Sequence, residues 1–229
     1  MRGLMGGLYA VSEWIMRFAV TNILWLFFNF PIVLIGLNAL YAEQPGSGVF
    51  ALIVFSVLAP FLFFPSTAAM FSSARDWILH REGSSLIRSF WKYYKDNYKN
   101  SMLGGLLLTV LWIVWAVDYN YLSNVNIIFM FAFFIMGVIL FVYTINFFSV
   151  MAHYHMKVRM ILKNSLLITL GSPLLFLTIA IGSGMILYVS INGPMFLIPF
   201  FTGSLIAFIS FSAFYRLYLK LTQGADKQK

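Results

Sequence analysis

Ile127–Val150 reads IIFMFAFFIMGVILFVYTINFFSV, a stretch with no charged residue. About 20 apolar residues in a helix cross the roughly 30 Å hydrocarbon core of a bilayer. This segment is long enough to do so and too long for a buried strand. Five more stretches of the same character flank it, at Phe18–Tyr41, Val49–Phe71, Met102–Leu122, Leu166–Ser190 and Met195–Leu217. Hydrocarbon offers no hydrogen-bond partners, so spanning segments must be helices or closed-barrel strands. At this length and continuity of apolar character, helices are the solution. The expected fold is an all-α, polytopic membrane bundle of about six helices in a single transmembrane domain.

Composition agrees. Of the 229 residues, 61% are hydrophobic and 10% charged, with a mean hydropathy of +0.87. A soluble domain carries about 25% charged residues.

Charge placement sets the orientation. Arg2 and Arg17 precede the first span. Arg75, Arg81, Arg88, Lys92, Lys95 and Lys99 lie between the second and third. Lys157, Arg159 and Lys163 lie between the fourth and fifth, and Arg216, Lys220, Lys227 and Lys229 close the chain. The remaining connections carry only Glu43 and Asp118. Lys and Arg are retained on the cytoplasmic side in short loops, so both termini are expected inside. The net charge of +8 follows from that asymmetry and from attraction to anionic headgroups. It does not call for nucleic acid.

The absence of cysteine excludes disulfides, thiolate nucleophiles and Cys-based metal centres. The N-terminal stretch does not match a cleavable signal peptide: its apolar run is too long, Glu13 stands in its flank and no small-residue cleavage pattern follows. Met1–Phe18 reads as a short interfacial helix feeding the first span.

The spans pair as three hairpins through outward turns near Ala42–Gly48, Asp118–Asn126 and Ile191–Pro194. Lys99-Asn100-Ser101 and Lys163-Asn164-Ser165 open the third and fifth spans, with Asn22 at the like place in the first. These suggest a degenerate repeat in which Asn or Ser caps a helix start. Pro31, Pro60, Pro65, Pro199 and Gly171-Ser172-Pro173 interrupt four of the spans. They fit either packing kinks or a broken helix lining a solute site. Gly104-Gly105 and Gly182-Ser183-Gly184 offer small surfaces for close helix approach.

The connection Ser72–Asn100 splits at His80-Arg81-Glu82-Gly83, where Gly can end one helix and Ser84 or Ser85 can cap the next. Helical spacing then gathers Leu86, Ile87, Phe90, Trp91, Tyr94 and Tyr98 on one arc and Arg88, Lys92, Lys95 and Lys99 on the other. Such a pattern describes an amphipathic helix in the headgroup plane, with Trp77 and Trp91 at interfacial depth. It fits an anchor to anionic lipid first, and a docking face for a cytoplasmic protein as the alternative, and one helix can do both.

No charge falls deep within a span, so proton coupling and voltage sensing lack a residue to carry them. The polar groups at membrane depth are neutral. Among them Asn22, Asn29, Thr144 and Asn146 could line a path for a neutral polar solute, or hydrogen-bond between helices. His153 and His155 form a His-x-His at the inner end of the fourth span, without the further ligands a metal needs. No phosphate-binding loop, hydrolase or cofactor motif occurs. No cofactor and no catalytic residue is therefore expected.

Three stretches resemble the YesL family of bacterial integral membrane proteins. They are Asn22-Ile23-Leu24-Trp25 running to Pro31, Phe64–Phe71 followed by Arg75, Trp77 and Phe90-Trp91-Lys92, and Phe148–Tyr154 followed by Lys163-Asn164-Ser165. The family pattern usually places Arg where His153 stands. The resemblance reaches across most of the chain. It implies a plasma-membrane protein encoded near carbohydrate ABC importers and sugar-degrading enzymes, with an accessory role in saccharide uptake. It brings no catalytic residues.

Combined with the amphipathic helix, it gives the leading expectation: an accessory component whose Ser85–Lys99 helix and Pro65–Phe71 segment contact importer permease or ATPase subunits. Pro65, Thr67, Arg75, Trp77, Arg88, Trp91, Lys92, Lys95 and Lys99 are the candidate partner or lipid contacts. An autonomous permease for a neutral polar solute and an inner-leaflet enzyme using His153 or His155 are the alternatives.

Overall fold

A computed structural model describes residues 4–41, 46–81, 85–123 and 125–226. They form α1 (Leu4–Phe28), α2 (Phe30–Tyr41), α3 (Ser47–Leu58), α4 (Phe63–Ile78), α5 (Leu86–Leu122), α6 (Ile127–His153), α7 (Val158–Gly171) and α8 (Pro173–Asn192). A π-helical turn at Ile198–Thr202 then leads into α9 (Gly203–Asp226). There is no strand among the described residues. Among the described residues, five helices are long and apolar enough to cross a membrane, and the number is six if α3 and α4 count as one bent span. The chain is a polytopic helical membrane bundle.

Helix boundaries follow the prolines rather than the hydropathy edges. Proline lacks an N–H and clashes with the preceding turn, and the breaks that fall inside the apolar stretches each have one nearby. Pro31 follows the single-residue break at Asn29, Pro60 lies in the break between α3 and α4, and Pro173 opens α8 after Ser172. Pro199 lies in the π-helical turn, and Pro65 is confined to the first turn of α4. The stretch Val49–Phe71 is accordingly not one straight rod: α3 and α4 meet at 62°. Similarly, Leu166–Ser190 is divided at Ser172.

Two expected interfacial helices are not separate elements. α1 runs from Leu4 through Phe18 without a break, because nothing near Phe18 interrupts its ladder. The amphipathic stretch is helical and capped by Ser85, whose side chain accepts from the Arg88 N–H at 3.4 Å. It continues directly into the third span as one helix of 37 residues. At about 1.5 Å per residue it is roughly 55 Å long, against about 30 Å of hydrocarbon. An unbroken helix does not turn into the headgroup plane halfway along, so its basic portion projects along the line of the span.

For the same reason Asn100-Ser101 and Asn164-Ser165 cap nothing. Their helices begin a dozen and more residues earlier at Leu86 and several residues earlier at Val158. Ser101 and Ser165 are buried and donate back to Asn97 and Ile161 carbonyls of their own helices, at 2.8 and 2.7 Å. The expected turn at Ala42–Gly48 and the Gly83-Ser84 helix end lie mostly outside the described residues. The left-handed residue that ends α4 is instead His80, with φ 52°.

Packing is inverted relative to a soluble protein. Large apolar side chains such as Phe50, Leu52, Leu174 and Ile191 are exposed, as a lipid-facing surface requires. The interior combines small residues, among them Ser66, Ala68, Ala69, Ser72, Ala74, Ser101, Ser149 and Ser204, with the buried rings of Phe90, Phe147, Phe148, Phe211 and Phe214. Lipid tails are as apolar as leucine, so helices associate through close contact of small residues. α4 carries this furthest. It is buried almost throughout, from Phe64 to Ala74 and again at Asp76 and Trp77, and packs against α1, α5, α6 and α9. α3, by contrast, buries no residue.

α5 approaches α4 and α6 at Gly104 and Gly105. A Cβ on Gly104 would overlap the Phe147 ring, and one on Gly105 would stand 2.6 Å from Cγ of Phe64. Both phenylalanines are buried, so neither ring has room to retreat. Gly105→Ala should therefore lower the stability of the detergent-solubilised protein by about 1–3 kcal/mol. Gly184→Ala, where a Cβ meets nothing within 4 Å, should not lower it. Thermal unfolding of the two variants measures the difference.

Candidate functional site at the basic end of the bundle

The C-terminal ends of α4 and α6, the start of α5 and the later turns of α9 converge. Antiparallel packing of α5 on α4 puts Tyr93 beside Asp76, and Asn97 donates to Ser72 Oγ at 3.2 Å. Arg75 donates from Nε and one terminal nitrogen to Asp76 Oδ1, at 2.9 and 2.7 Å. The Tyr93 hydroxyl donates to the other oxygen of the same carboxylate. The second terminal nitrogen of Arg75 donates to the Ala152 carbonyl at 2.6 Å. That carbonyl lies in the last turn of α6, where backbone acceptors have no intrahelical partner and a cation is favoured. Arg75 and Asp76 are thus a partly buried ion pair tying three helices together.

Beyond this pair lies a cavity of about 330 Å³. Its cationic and imidazole groups come from Arg75, Arg81, His153 and His155, and Tyr215 and Tyr218 close its α9 side. The turn after α4 delivers Arg81. His80 takes the left-handed conformation, and the Arg81 N–H bonds back to the Asp76 carbonyl at 2.9 Å. This is the hydrogen-bond pattern of a helix C-cap normally built on glycine. His153 ends α6 with its ring against Phe214, Tyr215 and Tyr218, and its Nδ1 is buried without a hydrogen-bond partner. In the extended segment that follows, burial pushes the Tyr154 hydroxyl above its ordinary pKa, with Tyr218 adding to the effect.

Arg75 is engaged with Asp76 and Ala152, and the other expected contact residues divide into two groups. Pro65, Thr67 and Trp77 are buried, as is the whole Pro65–Phe71 segment. That segment offers no surface to a partner, because Ser66, Ala68 and Ala69 let α4 occupy the centre and Met70 and Phe71 fill the space around it. Arg88, Trp91, Lys92, Lys95 and Lys99 are exposed along α5. The apolar arc of this helix is partly met by α1: Phe28 stacks on Phe90, Trp91 and Tyr94. Ile87 stays 61% exposed and Trp91 47%, with Lys95 lying 4.8 Å over the Trp91 ring.

The four residues of the possible polar path fall in separate contacts. Asn29 donates to Ser66 on α4 at 2.7 Å, while Thr144 on α6 accepts from Trp112 on α5 at 3.1 Å. Asn146 on α6 donates to Thr169 on α7 at 2.9 Å. Asn22 inserts its amide into the π-helical turn, donating to the Ile198 and Pro199 carbonyls at 3.1 and 2.8 Å and accepting from the Ser204 N–H at 3.1 Å. Each joins one helix to the next. Asp76, Tyr93, Arg81, Tyr215 and Tyr218 were not among the expected site residues. Only the i, i+3 spacing of Tyr215 and Tyr218 was visible as a pattern; the rest depends on which helices meet.

Comparison with known proteins places the chain. Residues 18–119 match the family model described as "Protein of unknown function, DUF624". The uncharacterized protein YteU of Bacillus subtilis (strain 168) is 30% identical over 99% of this chain and 92% of its own length. The chain belongs to this family. The uncharacterized protein YesL of the same strain is 24% identical, over 97% of this chain and 95% of the relative. The uncharacterized protein YesV is 27% identical over 65% and 74%. No solved structure matches the chain.

Asn22 provides a test of the joints. It is 2% exposed, and removing its amide strands two carbonyls and an N–H in a buried site. Asn22→Ala should reduce stability by about 1–3 kcal/mol. Asn192→Ala, which removes only an exposed bond to the Tyr188 carbonyl, should leave thermal unfolding in detergent nearly unchanged.

Proposed function

We propose that the protein is a non-catalytic accessory component of carbohydrate uptake in a bacterial plasma membrane, with both termini cytoplasmic. The observation that carries the docking role is the exposed row Arg88, Lys92, Lys95 and Lys99 on an unbroken helix. These cations stand where the length of α5 carries it out of the hydrocarbon. Rows of this kind steer an oppositely charged partner and set its register. An acidic surface on an importer permease or ATPase subunit is the matching partner. The carbohydrate assignment rests on the resemblance carried by Phe64–Phe71 and Phe148–Tyr154 and on the setting that resemblance implies.

Affinity purification from native membranes in mild detergent should recover importer subunits with the wild type. Replacing all four cations with Glu should abolish that recovery while the variant still inserts. Recovery of the wild-type protein alone would sink the proposal. If the four cations only held anionic lipid, reversing them would release phosphatidylglycerol and leave protein partners bound. Orientation is checked separately with reporter fusions at each terminus, both of which should report from the cytoplasm.

A further inference from the structure

The cavity at the basic end is not needed for docking through α5, and its chemistry is specific. We propose that it is a binding site for a phosphate group, carried by a soluble phosphate ester or by a lipid headgroup.

The donor set points to an anion. Arg75 and Arg81 carry only donors, each imidazole carries at least one N–H, and Tyr215 and Tyr218 offer hydroxyls. No carboxylate among the described residues lines the cavity. The nearby acid, Asp76, is turned away, with one oxygen taken by Arg75 and the other by Tyr93. Arg75 spends three of its five N–H groups on Asp76 and Ala152, leaving two on a guanidinium whose position is fixed. Arg81 has no carboxylate partner among the described residues, and its neighbour Glu82 lies outside them.

Two further observations point the same way. The chain adopts a left-handed non-glycine residue at His80 to turn Arg81 back beside α4, and backbone strain of this kind is held where the surroundings dictate it. His153 lines the cavity and keeps a buried Nδ1 with no partner in the protein. A volume of about 330 Å³ is at the lower end of the usual range for ligand sites, about 300–1,000 Å³. It accommodates a phosphoryl group with a small substituent. Guanidinium forks match the geometry of phosphate oxygens, and rings on the α9 side would exclude water from the contact.

The test uses the full-length protein in nanodiscs of phosphatidylcholine, titrated with inorganic phosphate and with glucose 6-phosphate at constant ionic strength set by chloride. A ligand that binds only the folded form raises the unfolding temperature, by an amount that grows with the logarithm of its concentration once that exceeds Kd. A second arm measures retention of phosphatidylglycerol by native mass spectrometry after exchange from mixed nanodiscs. Arg81→Ala and His155→Ala, both at exposed positions, should each weaken the response by about tenfold or more, and Arg81→Lys should restore part of it. A concentration-dependent rise in unfolding temperature with the soluble phosphates that Arg81→Ala removes identifies a soluble ester as the source. Retention of phosphatidylglycerol lost in Arg81→Ala, without a soluble response, identifies a headgroup. No response in either arm, or one unchanged in both alanine variants, overturns the site. Neither readout depends on importer subunits, so a failure here is distinct from a failure of docking.

Discussion

A bilayer accepts no hydrogen bonds, and the architecture is a set of answers to that restriction. Every proline that interrupts a helix frees backbone groups that water cannot reach. The turn at Ile198–Thr202 shows the solution most fully, because a side chain from another helix stands in for the missing ladder. Asn22 supplies two donors and one acceptor to it, and Gly203 leaves the room, since a Cβ there would lie 2.9 Å from the Asn22 oxygen. A polar residue in the first span and a glycine near the end of the chain are one device. The same logic makes Asn29, Thr144 and Asn146 fasteners between neighbouring helices.

The second organising fact is the distribution of side-chain size. Small residues are gathered at the centre around a set of buried rings, so α4, which is rich in Ser and Ala, sits where a leucine-rich helix would not fit. This explains why the segment most recognisable in the sequence, Phe64–Phe71, is the least accessible. Its character reflects the demands of a crowded centre. The surface that remains for partners is the α5 row and the cavity above Arg75.

Helix class and the apolar stretches could be read from composition and hydropathy, because spanning a bilayer imposes a long, continuous pattern. The Ser85 cap was legible too, from local chemistry alone. The division of labour among these elements was less accessible. Periodicity identified the arc from Leu86 to Tyr98 but could not say that Phe28 of α1 would cover part of it, nor that the helix would run on past Lys99 without a stop. Nothing in the spacing of Arg75, Asp76 and Tyr93 announces a shared network, since Tyr93 arrives only when α5 folds back along α4. Likewise the cavity is assembled from side chains of three helices and a turn, at separations no motif encodes.

α5 has one mechanical implication. A helix with an uninterrupted ladder behaves as a stiff lever on the scale of this molecule. It is held by α4 and α6 at Gly104 and Gly105 and again by α4 at Tyr93 and Asn97, on the half that carries the lysines. A change in bilayer thickness that tilts the lipid-embedded half must move the charged half and the α4 end tied to it as well, because there is no hinge between the halves to absorb the rotation. Membrane state and the reach of the basic row are therefore coupled through a single covalent rod.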